Sequence, residues 1–274
     1  MSPLLRDRYC AVLRPDRVDL VRLKRGFKPV LDLKQSVPVA AGTEGAPWLP
    51  AVAALREMVA GDAVTRGDLA VVLSNHFVRY LLVPWDEQVG SIAEYEGYAR
   101  IAFEGVFGEA ARAWTVRVSP ERFRAPRLAG AIDGELPHAL RQAGRDKLRL
   151  ISVQPYLMAA YNRLGQPFRR RDFFFLLAEP GRACALAAVG GIWRVVRNHA
   201  VNDDSAISAL VERELRLLET NEGPVPNLYV HAPGFRQLKL PIVAGAAPRV
   251  LALPPVPGFA PDADMPFSMA LTAA

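Results

Sequence analysis

A chain of 274 residues with 51% hydrophobic content can bury a large core and is too apolar to be disordered. Its 34 basic and 28 acidic residues leave a net charge of +6, which favours anionic surfaces in general. Two cysteines, Cys10 and Cys184, sit in separate apolar stretches and read as buried free thiols, and no apolar run approaches the ~20 residues of a membrane span. No signal peptide is expected, because Met1–Asp7 brings charge early with no apolar stretch behind it. A cytoplasmic protein is the expectation.

The elements repeat. Alternating and continuous apolar runs predict strands at Tyr9–Leu13, Val18–Lys24 and Pro29–Pro38, then a helix at Trp48–Val59 and a strand at Leu69–Leu73. The same β-β-β-α-β order returns with strands at Phe173–Ala178, Ala183–Val189 and Ile192–Arg197, a helix at Ser205–Leu218 and a strand at Asn227–His231. Between the copies, Phe77–Val83 predicts a strand that Pro84-Trp85-Asp86 breaks. Ser91-Ile92-Ala93-Glu94 fits a capping box and starts a helix to Phe107, ended by Gly108. Strands follow at Ala113–Val118 and Arg127–Ile132, a helix at Glu135–Ala143, a strand at Leu148–Val153 and a helix at Tyr156–Leu164. A small α+β insert, roughly residues 75–133, therefore interrupts the first copy. The domains expected are 1–165, carrying that insert, and 166–274. The proline-rich tail from Pro241 predicts extended, turn-rich chain, and the short Gly223–Asn227 connection leaves the second copy minimal.

Several chemistries are excluded. Arg169-Arg170-Arg171 beside Phe173-Phe174-Phe175 suggests an RNA-binding sheet, but three consecutive Phe running into Leu176 and Leu177 mark a strand buried on both faces. Nucleic acid is not an expected partner. Neither G-x-x-x-x-G-K-[ST] nor G-x-G-x-x-G occurs, and no G-x-S-x-G elbow. His76, His138, His199 and His231 lack metal-ligand spacing, so no metal site and no catalytic residue is assigned.

The passage Val71-Val72-Leu73-Ser74-Asn75-His76-Phe77-Val78-Arg79-Tyr80-Leu81-Leu82-Val83-Pro84-Trp85 resembles the segment of PilM-type pilus-assembly proteins and GspL-type secretion proteins where the first lobe hands over to an inserted subdomain. Leu148–Val153 with its following helix resembles the return to that lobe, and Pro266–Ala274 is similar to the family's final small-residue helix. The resemblance implies a two-lobed α/β actin-like ATPase fold, each lobe built on a ribonuclease-H-like sheet. It also implies a scaffold of a type IV pilus or type II secretion assembly, recruited to the inner face of the inner membrane. The partner implied is a bitopic inner-membrane protein, docked by its short cytoplasmic tail between the first lobe and the insert. Arg79, Tyr80, Trp85, Tyr95 and Tyr98 are the side chains expected to hold that tail, because Trp, Tyr and Arg dominate interfaces. A homodimer is a further expectation.

Active members of the superfamily carry an Asp ending the first strand and a Gly-rich hairpin whose N–H groups cradle phosphate. Here Arg14-Pro15-Asp16-Arg17 has no glycine, and Pro15 lacks a donor. Ala178-Glu179-Pro180-Gly181-Arg182 keeps one acid and one glycine, in a sequence that also writes a type II turn. Asn202-Asp203-Asp204 suits a helix cap and repels phosphate. The adenosine-side glycine pair is reduced to Ala232-Pro233-Gly234. Arg14, Asp16, Glu179, Gly181, Arg182 and Gly234 are thus vestigial cleft candidates, and the expectation is a pseudo-ATPase with no cofactor. The alternative is a working ATPase that binds ATP with Mg through atypical loops.

Overall fold

The computed structural model describes residues 6–24, 26, 29–40, 46–121, 124–169, 172–223, 227–235, 238, 240 and 247–274. The first copy runs β1 (Asp7–Leu13), β2 (Arg17–Lys24), β3 (Val30–Pro38), α1 (Leu49–Ala60) and β4 (Gly67–Leu73). The insert follows as β5 (Arg79–Val83), α2 (Ile92–Phe107), β6 (Trp114–Val118) and β7 (Arg127–Asp133), and the chain returns through α3 (Leu136–Gly144), β8 (Leu148–Pro155) and α4 (Tyr156–Leu164). The second copy is β9 (Phe173–Glu179), β10 (Arg182–Val189), β11 (Ile192–Ala200), α5 (Asp204–Glu222), β12 (Leu228–His231) and β13 (Pro248–Val250).

Two five-stranded sheets result, ordered β3-β2-β1-β4-β8 and β11-β10-β9-β12-β13. In each, the first three strands form an antiparallel meander and the fourth joins the first in parallel. A parallel strand is covered on both faces, so its sequence becomes a continuous apolar run. Every residue of β4 and of β9 is buried accordingly. Cys10 and Cys184 are buried free thiols, and burial pushes Cys10 up to about 11.

The insert is a three-stranded antiparallel sheet, β5-β7-β6, with α2 packed on it. Ser91 caps α2: its hydroxyl accepts from Glu94 N–H, and the Glu94 carboxylate accepts from Ser91 N–H. Such reciprocal bonds satisfy donors that a helix start otherwise leaves open.

Contacts divide the chain into two compact units: Met1–Phe77 with Glu135–Arg163 and Leu253–Ala274, and Val78–Gly134 with Leu164–Ala252. This partition differs from sequence order. The insert belongs with the second copy, whose edge strand β11 lies alongside β5, and Asn198 Nδ2 donates to Val78 O at 3.0 Å. The C-terminal tail belongs with the first.

Three local features differ from the sequence expectation. The strand expected from Phe77 begins at Arg79, because Phe77 N–H closes a turn onto Ser74 O at 3.0 Å. The proline-rich tail supplies a strand, β13, parallel to β12. The final helix is two short 3-10 turns, Met265–Phe267 and Ala270–Ala273, whose bonds run to the third residue back. A 3-10 turn is tighter than an α turn, and the side chains of Ala270, Leu271, Thr272 and Ala273 are buried, with the turn packed on β1 and β4. Arg170 and Arg171 of the basic-aromatic run lie outside the described residues, while Phe173, Phe174 and Phe175 are buried as expected.

Candidate functional site

The strand-end turns carry the cleft candidates of the sequence, and their local bonding decides what they can hold. In the β1–β2 turn, Arg14 N–H donates to Arg17 O at 3.1 Å, and the Arg14 guanidinium grips both Asp16 carboxylate oxygens at 3.1 Å. Pro15 has no donor, so the turn's side chains and backbone satisfy each other. Behind it lies Asp19, fully buried, accepting from Ser36 Oγ at 2.6 Å and paired with Arg17. Burial pushes the Asp19 carboxyl up, against the opposing pull of Ser36 and Arg17. After β4, buried Ser74 and Asn75 precede His76, whose Nδ1 is 2.8 Å from Ser74 Oγ. Neither Asp19 nor this polar trio stands out in the sequence. Only their position, within buried strand β2 or directly after buried strand β4, could have singled them out.

The turns of the second copy are tight backbone turns. Gly181 has φ +80 after Pro180, as a type II turn requires, and its carbonyl accepts from Val201 N–H at 3.2 Å. Gly234 has φ +96 after Pro233, with Phe235 N–H closing on Ala232 O at 3.1 Å. Glu179, only 4% exposed, ends β9 and faces Arg182 in register. Asp203 caps α5, accepting from Ala206 N–H at 2.8 Å and from Ser205 Oγ, which holds its carboxyl below the usual range. A carboxylate therefore occupies the helix N-terminus that a phosphate would use. Among the described residues no cluster of three or more His, Cys, Asp or Glu could hold a metal.

On the insert, the five side chains expected to bind a partner divide. Tyr95 is 2% exposed and belongs to the insert core with Val83, Ala99, Phe103 and Ala131. Its hydroxyl exchanges bonds with Asp86 N–H (3.0 Å) and Asp86 O (3.2 Å), and Arg127 lies 4.3 Å over its ring. Tyr80, 7% exposed, packs over Gly130. Both side chains are buried, turned inward by the same helical and strand periodicity that makes them prominent in the sequence. Arg79 is half-buried and donates to Val78 O at 3.1 Å; burial, aided by the nearby Arg182 charge, pushes its pKa down. Trp85 and Tyr98 are half-buried at the rim of the core, with Arg124 5.7 Å over the Trp85 ring.

The outward face of α2 carries one apolar group that the sequence reading did not nominate, Ile101, which is 70% exposed. Val106 and Phe107 are exposed at the end of the helix on its other side, where the Phe107 ring stacks on Phe103 at 5.9 Å. A Cβ at Gly97 or Gly105, each one helical turn from Ile101, would meet nothing within 4 Å. Packing inside the chain therefore does not account for these glycines, although each costs a helix interior about 1 kcal/mol relative to Ala.

Duplicated sheets of this order, with a subdomain inserted in the first copy, define the two-lobed actin-like ATPase fold. The chain superposes on a chain of the PilM-PilN type IV pilus biogenesis complex with TM-score 0.59, at 17% identity over 84% of this chain and 83% of that one. It also superposes on the cytoplasmic domain of EpsL, an inner membrane component of the type II secretion system of Vibrio cholerae, with TM-score 0.60, at 14% identity over 98% and 96%. A third likeness is to a Bacteroides thetaiotaomicron protein with actin-like ATPase fold and unknown function, TM-score 0.54, at 10% identity over 84% and 82%. No family model and no curated protein matches the sequence. Among the described residues no helix is long and apolar enough to cross a membrane.

Proposed function

We propose that the chain is a non-catalytic cytoplasmic scaffold of a type IV pilus or type II secretion-like assembly. In this reading the cytoplasmic tail of a bitopic inner-membrane protein recruits it to the inner face of that membrane. The observation that carries the proposal is an intact actin-like fold whose strand-end turns are filled by the chain's own groups: Asp16 by Arg14, the α5 N-terminus by Asp203. Likeness to a chain of the PilM-PilN complex and to the EpsL domain supports the setting. The docking face falls on the insert, at half-buried Trp85 and Tyr98 and at exposed Ile101, with open space at Gly97 and Gly105 of α2.

Thermal melting with Mg-ATP tests the non-catalytic half. A ligand at a hundred times its dissociation constant adds about 2.7 kcal/mol, or roughly 5–10 °C in midpoint for a chain of this size. No shift is expected, and a shift of that size would return the protein to the ATPases. Glu179 gives that rival reading its one foothold, as a buried carboxylate beside a glycine turn. The docking half is read by capture of a synthetic tail from a bitopic membrane protein encoded alongside. Capture should be lost in Trp85→Ala and Ile101→Asp and kept in Asp16→Ala.

A further inference from the structure

The starts of β1, β4 and β8 and the end of β2 share one edge of the first sheet, since Asp7 pairs with Gly67, Gly67 with Leu148, and Arg8 with Leu23. This edge is opposite the strand-end turns described above. Beside it lies an open concavity of about 1040 Å³, whose described lining includes seven Lys and Arg side chains and two carboxylates, Asp7 and Asp146.

Three of the seven cations are held by backbone carbonyls or by the buried Asp68 carboxylate. Lys147 Nζ donates to Ala60 O (3.0 Å) and Gly61 O (2.8 Å), capping the end of α1. Arg149 and Arg6 both approach Asp68, at 2.9 and 3.8 Å. The other four are Lys24, Arg66, Arg141 and Arg145. Arg141 and Arg145 gain from the C-terminal dipole of α3, and Arg145 makes an exposed pair with Asp146 at 3.5 Å, worth little. The Lys24 charge helps to hold the Asp32 carboxyl down, and Lys24 and Arg66 reach the same concavity from the end of β2 and from the residue before β4. A concave wall of one sign focuses its field outward.

We propose that this edge binds the phosphate headgroups of an anionic bilayer. A single cradled phosphate fits it poorly. Gly67 N–H is already bonded to Lys147 O at 3.1 Å, and the helix ends present, those of α1 and α3, are C-termini that repel anions. Exposed cations on long stems, spread along a sheet edge, instead suit a plane of charge. Clusters of four to eight Lys and Arg are what such a plane recognises. The inference stands apart from tail docking: it needs no partner, and the vesicle experiment is blind to one.

The test is flotation of the full chain with vesicles of phosphatidylglycerol mixed with phosphatidylcholine, and with phosphatidylcholine alone. Binding is expected to the first only, and should weaken steeply with added salt. Arg66→Gln with Arg141→Gln, two exposed positions, should weaken it roughly thirtyfold, about fivefold for each cation. Arg100→Gln with Arg249→Gln removes the same charge elsewhere and should leave it within about twofold. Absence of flotation, or equal loss in both pairs, overturns the proposal. So does saturable binding of inorganic phosphate alone that blocks flotation, which would make the ligand a soluble phosphate. Unchanged melting midpoints of both pairs confirm that folding is not the variable.

Discussion

The two five-stranded sheets share one strand order and differ at their ends. In the first, the β1–β2 turn is tied by side chains, Arg14 to Asp16, and the outer parallel strand β8 spans eight residues. In the second, the corresponding turn relies on Gly181 at positive φ, and the outer strand β13 has three residues. The interiors are alike, with β1 and β9 lying at the centre of each sheet and parallel to β4 and β12. Burial constrains the middle of a strand on both faces. Its ends are free to vary, and the two copies differ there.

If the interiors are equivalent, truncating either should be the costliest change. Phe174→Ala in β9 should destabilise by about 3–5 kcal/mol and Leu69→Ala in β4 by about 2–5 kcal/mol, read by urea unfolding. A Phe174 loss below about 1 kcal/mol would break the comparison, because it would mean that the second sheet is loosely packed. The turns should then separate. Gly181→Ala forces a side chain into the left-handed region at φ +80 and should cost about 1–2 kcal/mol. Pro15→Ala only frees the unfolded chain, for about 0.4–1 kcal/mol. Equal costs would say that both turns are held the same way.

A titratable group sharpens the contrast further. The parallel pair β1–β4 ends at Leu13 and Leu73, whereas β9–β12 ends at Leu177 and His231. His231 is buried, with Nδ1 2.9 Å from Leu251 O, and burial pushes its pKa down from 6.5. Its neutral form is thus the one the fold prefers. As pH falls below 6.5 the unfolded chain takes up the proton first, so stability is full above that pH and declines beneath it. His199, also pushed down by burial and by Arg213, acts with the same sign. Melting midpoints should drop between pH 7 and 5, and His231→Gln should flatten part of that drop. An unchanged slope would remove His231 from the account.

Most of the architecture is legible in the sequence because periodicity and punctuation carry it. Apolar runs mark the buried strands, Ser91 and Glu94 mark a helix start, and Pro180-Gly181 marks a turn that forms as written. The candidate site is less legible. Tyr95 reads equally well as core or anchor until α2 is laid on its sheet, and only then is Ile101 seen to point outward. The tail hides β13 among prolines, since pairing with β12 depends on a strand from another part of the chain. The basic edge is the extreme case: Lys24, Arg66 and Arg141 are distant in sequence and converge only through strand register and the packing of α3 on β8.

The smallest expected effect bears most directly on chemistry. Asp16 is the only acid of the β1–β2 turn, and its side chain is 60% exposed and held by Arg14. As an exposed ion pair it should be worth about 0.5 kcal/mol, so Asp16→Ala should lower the midpoint by a degree or two at most. The informative measurement is the same melt repeated with Mg-ATP. A structural turn residue predicts that nucleotide moves neither protein, leaving the small difference between them intact. A metal-side carboxylate predicts a nucleotide-dependent rise in the unmodified chain that Asp16→Ala abolishes. The two outcomes differ by several degrees on one instrument, although the substitution itself barely disturbs the fold. A result of the second kind would mean that Arg14 releases Asp16 when phosphate arrives, and that the first turn keeps the chemistry its present bonding conceals.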